Sequence, residues 1–272
     1  MIENSKIDNN SWLLIGTILE LAEVYKMNNK LTEAIRSFEQ ALVHLDQNDS
    51  IDLNFKDSIN KKSLKEEEKN KNKALGIYLE LYRLYLKTND IVQSDQKIEK
   101  AIELIFDDYL DNSNKGNTYH ELDHKIKKPS WLTDQEYLAA VEEIGSYYIK
   151  TGGFHPAIVL YQLALNSGND PIKKSILYCN LGVAYQGLKY NEFALNAFKQ
   201  GILILKQVKD VENEDKDKNM STLLYNLGLT SELSGNKEEA KKYFQQLWKN
   251  RGNYLKHVGK KKWKVVKDYL DK

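Results

Sequence analysis

Apolar residues recur along this chain at helical spacing, in paired runs separated by a short polar break. Tyr178, Leu181, Gly182 and Tyr185 stand at i, i+3, i+4 and i+7, one stripe of a helix, and Ala194, Phe198 and Gly201 stand at i, i+4 and i+7 on a second. The grid returns as Val141, Ile144, Gly145, Tyr148 with Ala157, Tyr161, Ala164, and as Leu224, Leu227, Gly228, Ser231 with Ala240, Phe244, Leu247. It returns again as Ile18, Leu21, Ala22, Tyr25 with Ala34, Phe38, Ala41. A more divergent copy reads Tyr78, Leu81, Tyr82, Tyr85 with Ser94, Ile98, Ala101. Each copy predicts two helices folded back on each other. Gly145, Gly182 and Gly228 on the first helix, and Ala34, Ala157, Ala194 and Ala240 on the second, permit close approach, while the bulky residues fill the remaining space. In the divergent copy Tyr82 replaces the small residue and Ser94 the alanine, which predicts a splayed pair.

Helix punctuation agrees with this parse. Thr133 with Glu136, and Asn236 with Glu239, read as capping boxes, and Pro156 and Pro171 read as first-turn prolines. Gly152, Gly153 and Gly235 read as helix closers. The five copies resemble the tetratricopeptide repeat, a 34-residue helix pair with large residues and Gly on its first helix and Ala, aromatic, Ala on its second. The resemblance implies an all-α, right-handed superhelical array of antiparallel helix pairs. No copy carries the family's tryptophan. On the family frame residues 1–14 lead into the first helix and the repeats span 15–48, 75–108, 138–171, 175–208 and 221–254. The stretch 49–74, containing KEEEKNKNK, is expected to be a solvated loop or a charged extension of the next helix. Residues 109–137 form a second insertion with enough apolar residues, Trp131 and Leu132 among them, to pack. The stretch 209–220 reads as a charged loop and 255–272 as a basic capping helix.

Composition narrows the chemistry. The 272 residues hold 40 Lys+Arg against 39 Asp+Glu, a net +1, which excludes a strongly basic nucleic-acid binder as the reading of the whole chain. Only 3 prolines and 14 glycines are present, too few for the turns of a many-stranded sheet protein. A lone cysteine, Cys179, cannot form an internal disulfide, and the opening residues MIENSKIDNN lack the features of a signal or transit peptide. With no apolar run approaching the ~18 residues that span a bilayer, an intracellular, cytoplasmic protein is expected.

One catalytic pattern stands out. His120, Glu121, Leu122, Asp123 and His124 fit H-E-x-x-H, in which two histidines one helical turn apart hold zinc and the glutamate activates water. Glu142 could be a third ligand, but its place on a repeat helix argues against that, and Asp123 puts a charge where such families keep uncharged residues. A polar loop with two surface histidines is the better reading. No other metal spacing, nucleophile motif or phosphate loop is present, so no cofactor and no enzyme activity are expected.

The resemblance directs attention to the first helices, which line the concave surface in this family. Chaperone-binding members carry a clamp of Lys, Asn, Asn, Lys and Arg there. The matching positions here are Leu19, Glu23, Arg83, Glu142 and Ser146, or Cys179, Val183, Tyr225 and Leu229 in the later frame, so the resemblance disfavours chaperone C-terminal tails. Other members hold extended peptides with an asparagine just before the Leu-Gly pair. Asn180 and Asn226 occupy that position, whereas the earlier copies have Glu20, Glu80 and Glu143. Both asparagines could instead make local bonds within the stack. Val183, Tyr225 and Leu229 would make the same surface partly apolar, and Arg83 stands with them as a candidate contact. The expected role is a protein-binding scaffold with a polypeptide partner.

The C-terminus adds a charge asymmetry. Residues 248–272 carry nine Lys and Arg against Asp268 and Asp271, a net +7, so the first 247 residues sum to −6. Trp263, Val266 and Leu270 place an apolar stripe on a helix there. Its plain role is the solvating cap a repeat array needs, and an anionic membrane or RNA is the alternative partner.

Overall fold

The computed structural model describes residues 2–52, 61–113, 128–208, 214–254 and 256–271. Regular structure among them is helical throughout: α1 (Ile2–Met27), α2 (Leu31–Asp52), α3 (Lys61–Lys87), α4 (Ile91–Ser113), α5 (Asp134–Thr151), α6 (Phe154–Leu165), α7 (Pro171–Gly187), α8 (Asn191–Gln207), α9 (Glu214–Leu233), α10 (Lys237–Lys249), α11 (Arg251–Tyr254) and α12 (Lys260–Leu270). The chain divides into two compact units. Unit 1 is Met1–Asn117 with Pro129–Leu132, and unit 2 is Thr118–Lys128 with Thr133–Lys272.

A single turn is used five times. Asn29, Asn89 and Lys189 take left-handed φ of 56°, 61° and 62°, and Gly152 and Gly235 take 83° and 80°. The next residue's N–H then returns to a carbonyl five positions back: Lys30 to Tyr25 (2.9 Å), Asp90 to Tyr85 (2.9 Å), Gly153 to Tyr148 (2.7 Å), Tyr190 to Tyr185 (2.9 Å) and Asn236 to Ser231 (2.8 Å). Those acceptors are the fourth residue of the first stripe in every copy of the grid. Each bond satisfies a carbonyl that the helix end leaves open and reverses the chain. Asparagine tolerates the left-handed region well, whereas Lys189 adopts it against its own preference. Helix starts are built as the sequence indicates at Thr133, where both halves of the capping box form, and at Asp170, whose carboxylate accepts from Ile172 and Lys173 ahead of Pro171. Asn236 accepts from the Glu239 N–H at 3.1 Å. Pro156 is the third residue of α6, within its first turn.

In unit 2 the small residues of the first helices lie directly beneath aromatic rings of the second. A Cβ at Gly145 would collide with Tyr161, one at Gly182 with Phe198, and one at Gly228 with Phe244. Those three rings are fully buried. Gly187 lies under Phe154 in the same way, a contact outside the grid. Beyond α10 the chain continues its core through Tyr254, Val258, Trp263 and Val266, all buried against Leu224, Phe244 and Leu247. The C-terminal helix is therefore integral to unit 2.

Unit 1 solves the same packing differently. Ala22 and Phe38 are buried as the grid requires, but in the divergent pair the sizes are exchanged: Tyr82 on α3 is buried where Gly stands elsewhere, and Ile98 replaces the aromatic ring. The expected splaying does not occur, and α3 meets α4 as extensively as α1 meets α2. Leu21, placed on the inner stripe by spacing, is 45% exposed. Two polar stretches extend helices: 61–74 as the charged extension that the sequence allows, and 214–220 where a loop is expected. Residues 61–74 are the first turns of α3, where Asn70 is buried and Lys69 and Lys73 place their ammoniums 5.1 and 4.2 Å from the Trp12 ring centre. Residues 214–220 begin α9, with three acidic residues in its first turn where the helix dipole favours them.

Candidate functional site

In unit 2 the first helices α5, α7 and α9 pack side by side, and each packs against the second helix of its own pair. The face they present away from the second helices carries the sequence candidates. Asn180 and Asn226 sit half-buried one position before Leu181 and Leu227, and Val183 and Leu229 lie half-exposed three residues further along each helix. Asn226 Nδ2 donates to Cys179 Sγ across the α9 to α7 junction at 3.6 Å. Sulfur is a weak acceptor, and the Asn226 amide has a second N–H and a carbonyl besides. Burial pushes the Cys179 thiol up to about 11, against the opposing influence of the Asn226 bond and the Lys262 charge, so it is a protonated thiol at neutral pH.

Tyr161 rises from α6 between α5 and α7. Its ring lies on Gly145 and its hydroxyl is enclosed without meeting hydrogen-bond geometry at any neighbour. Burial raises its pKa strongly. Ser146 and Asn180 stand close enough to pull it back, while the Glu142 charge raises it further. Glu142 is exposed at its residue surface, yet its carboxyl is partly desolvated. That desolvation raises its pKa, and Lys173 on α7 and Lys218 on α9 oppose the rise. Tyr161, Ser146, Asn180, Cys179 and Asn226 thus form a polar floor built from four helices, with Glu142, Lys173 and Lys218 near it.

Two candidates stand elsewhere than spacing implied. Tyr225 is buried, its ring 6.3 Å from that of Phe244 and covered by the Lys262 ammonium, 5.0 Å from the ring centre. Lys262 belongs to α12, and its place over Tyr225 is a tertiary event that no repeat spacing could signal. Arg83 belongs to unit 1 and is committed to an ion pair with Glu80 one turn earlier on α3. The same carboxylate accepts from Lys26 at 2.9 Å, and burial of Lys26 is outweighed by its bonds to Glu23 and Glu80, which raise its pKa.

His120, Glu121 and His124 lie outside the described residues. Among the described residues, no group of three or more His, Cys, Asp or Glu side chains is arranged to hold a metal ion, and no helix is long and apolar enough to cross a membrane.

With this geometry in place, comparison with known proteins gives a consistent picture of the fold. Residues 221–249 match the tetratricopeptide repeat family. Among solved structures, the apo form of RapI is 12% identical over 89% of this chain and 70% of that one, with a TM-score of 0.57. A set of nearly identical TPR-like repeats from Podosopora anserina is 16% identical, covering 89% and 96% of the two chains at a TM-score of 0.53. PilW, a widely conserved type IV pilus biogenesis factor, is 15% identical, covering 95% and 86% at a TM-score of 0.51. At these identities the likeness establishes the architecture alone. No curated protein matches the sequence.

Proposed function

We propose that this chain, which carries a tetratricopeptide repeat at 221–249 and folds as a helical array of that type, is a non-enzymatic scaffold that holds an extended polypeptide segment along the first-helix face of unit 2. The observation that supports this reading is the placement of Asn180 and Asn226. They stand at one register on successive first helices, half-buried on one face, beside the half-exposed Val183 and Leu229. A peptide backbone presents one donor and one acceptor per residue, which a carboxamide matches. The apolar neighbours would take alternate side chains of the same segment.

A local role for both asparagines is the competing reading, and the Asn226 contact to Cys179 gives it substance. Substituting both asparagines by alanine separates the two. Scaffold function predicts that the double variant melts almost as wild type and binds peptides selected from a random library more weakly, by about 1–3 kcal/mol for each bond lost to a buried peptide group. A stack-bonding role predicts a lower melting temperature with affinity preserved. That second result would remove Asn180 and Asn226 from the binding surface.

A further inference from the structure

Lys262 is exposed on the first turn of α12, and its ammonium stands 5.0 Å above the ring of Tyr225, the residue before Asn226 on α9. Its charge also reaches Cys179 on α7, the residue to which Asn226 donates. Among the described residues Lys262 has no carboxylate partner, in contrast to Lys256, which pairs with Glu214 at 3.1 Å, and Lys199, which pairs with Glu239 at 2.9 Å. An ammonium held over an aromatic face keeps part of its attraction to the ring while its outer side stays open to an anion.

We infer that α12 is a binding element as well as a cap, and that Lys262 takes a side-chain carboxylate of the bound segment, so that the partner of this face is an acidic extended peptide. The inference rests on the peptide-binding reading above and adds the chemistry of the partner. Charge complementarity selects it. Lys173 and Lys218 lie on the same face, with Glu142 as the carboxylate they act on. Lys262 and Asn226 both act on Cys179, one by charge and the other by hydrogen bond, so a carboxylate contact at the first and a backbone contact at the second lie within reach of a single extended segment. A lipid surface fits less well. An interfacial helix must offer its apolar face to the bilayer, and in α12 the apolar residues Trp263 and Val266 are buried in the core of unit 2, leaving Val265 among lysines.

The test uses the full chain and a bead-displayed library of random decapeptides, panned with wild type, Lys262→Gln and Lys264→Gln. Lys264 is an exposed lysine of the same helix and serves as the control for bulk charge. Peptides enriched by wild type and by Lys264→Gln are expected to be rich in Asp and Glu. The Lys262→Gln pool should lose that bias and bind the best acidic peptide about tenfold more weakly, with the preference fading as salt rises. An unchanged acidic bias in Lys262→Gln overturns the inference. So does an equal loss in Lys264→Gln, which would mean a diffuse basic surface, or displacement of the peptides by phosphatidylserine-containing vesicles, which would mean a lipid surface. The two levels fail differently. If the enriched peptides are insensitive to loss of Asn180 and Asn226, or if none is enriched, the face itself is misassigned. If they depend on the asparagines but show no acidic bias, only the role of Lys262 falls.

Discussion

In unit 1 the ionic groups of the first helices answer one another. Lys26 on α1 reaches Glu80 on α3, and Arg83 closes on the same carboxylate. In unit 2 the corresponding helices present carboxamides, hydroxyls and a thiol, with lysines that converge on Glu142 or, at Lys262, on an aromatic ring. The two units share one helix-pair design and one turn. The difference shows that the repeat framework leaves the first-helix surface free to be either internally satisfied or receptive, since framework positions and surface positions occupy different faces of the same helix. The packing differs too: small residue under large ring in unit 2, large residue facing a smaller one at Tyr82 and Ile98 in unit 1.

That exchange predicts the largest effects. Tyr82→Ala would restore a small residue to the grid but leaves a cavity opposite Ile98, where the grid elsewhere has a ring, so it should destabilise by ~3–5 kcal/mol in urea unfolding, as aromatic-to-alanine changes in cores do. The converse change, Gly182→Leu, drives a side chain into Phe198 and should cost ~1–3 kcal/mol. A stabilised Tyr82→Ala would show that unit 1 is a strained copy of unit 2 instead of an alternative solution.

A smaller effect separates the units by their use of lysine. In unit 1, Lys69 and Lys73 face Trp12, and burial lowers the Lys73 pKa, with Lys69 adding to it. Replacing both by glutamine should reduce stability by about 1 kcal/mol through lost ring contacts, measured as a shift of the urea midpoint. No shift would return residues 61–74 to the status of a solvated extension.

The smallest prediction concerns Glu142. Desolvation raises its folded-state pKa, so its ionised form opposes folding at neutral pH, and the opposition disappears as pH falls through the folded pKa toward the ordinary carboxylate value. Glu142→Gln should therefore melt slightly higher than wild type at neutral pH, and the gap should close on acidification. A gap that stays constant with pH would mean the carboxyl is not desolvated.

Much of the architecture was legible because helix pairing imposes a strict local code. The stripe spacings, the Gly and Ala positions, the capping box at Thr133 and the Asp170-Pro171 start are all consequences of neighbours a few residues apart. The left-handed turns at Asn29, Asn89 and Lys189 were harder to see, since only two of the five turns use glycine. Polarity misled at 214–220 and left 61–74 open between loop and helix extension, because a helix that presents charge to solvent, or to a single tryptophan, has the composition of a loop. The candidate site was legible only in part. Asn180 and Asn226 could be found from the register of the repeat, but the enclosed Tyr161 hydroxyl, the bond from Asn226 to Cys179, the burial of Tyr225 and the arrival of Lys262 from α12 could not. Sequence spacing alone decided which residues lie on one face of one helix. Which groups from different helices meet there was decided by the packing of α12 and of successive pairs, whose contacts depend on side-chain volume and orientation summed over many residues and leave no periodic trace in the chain.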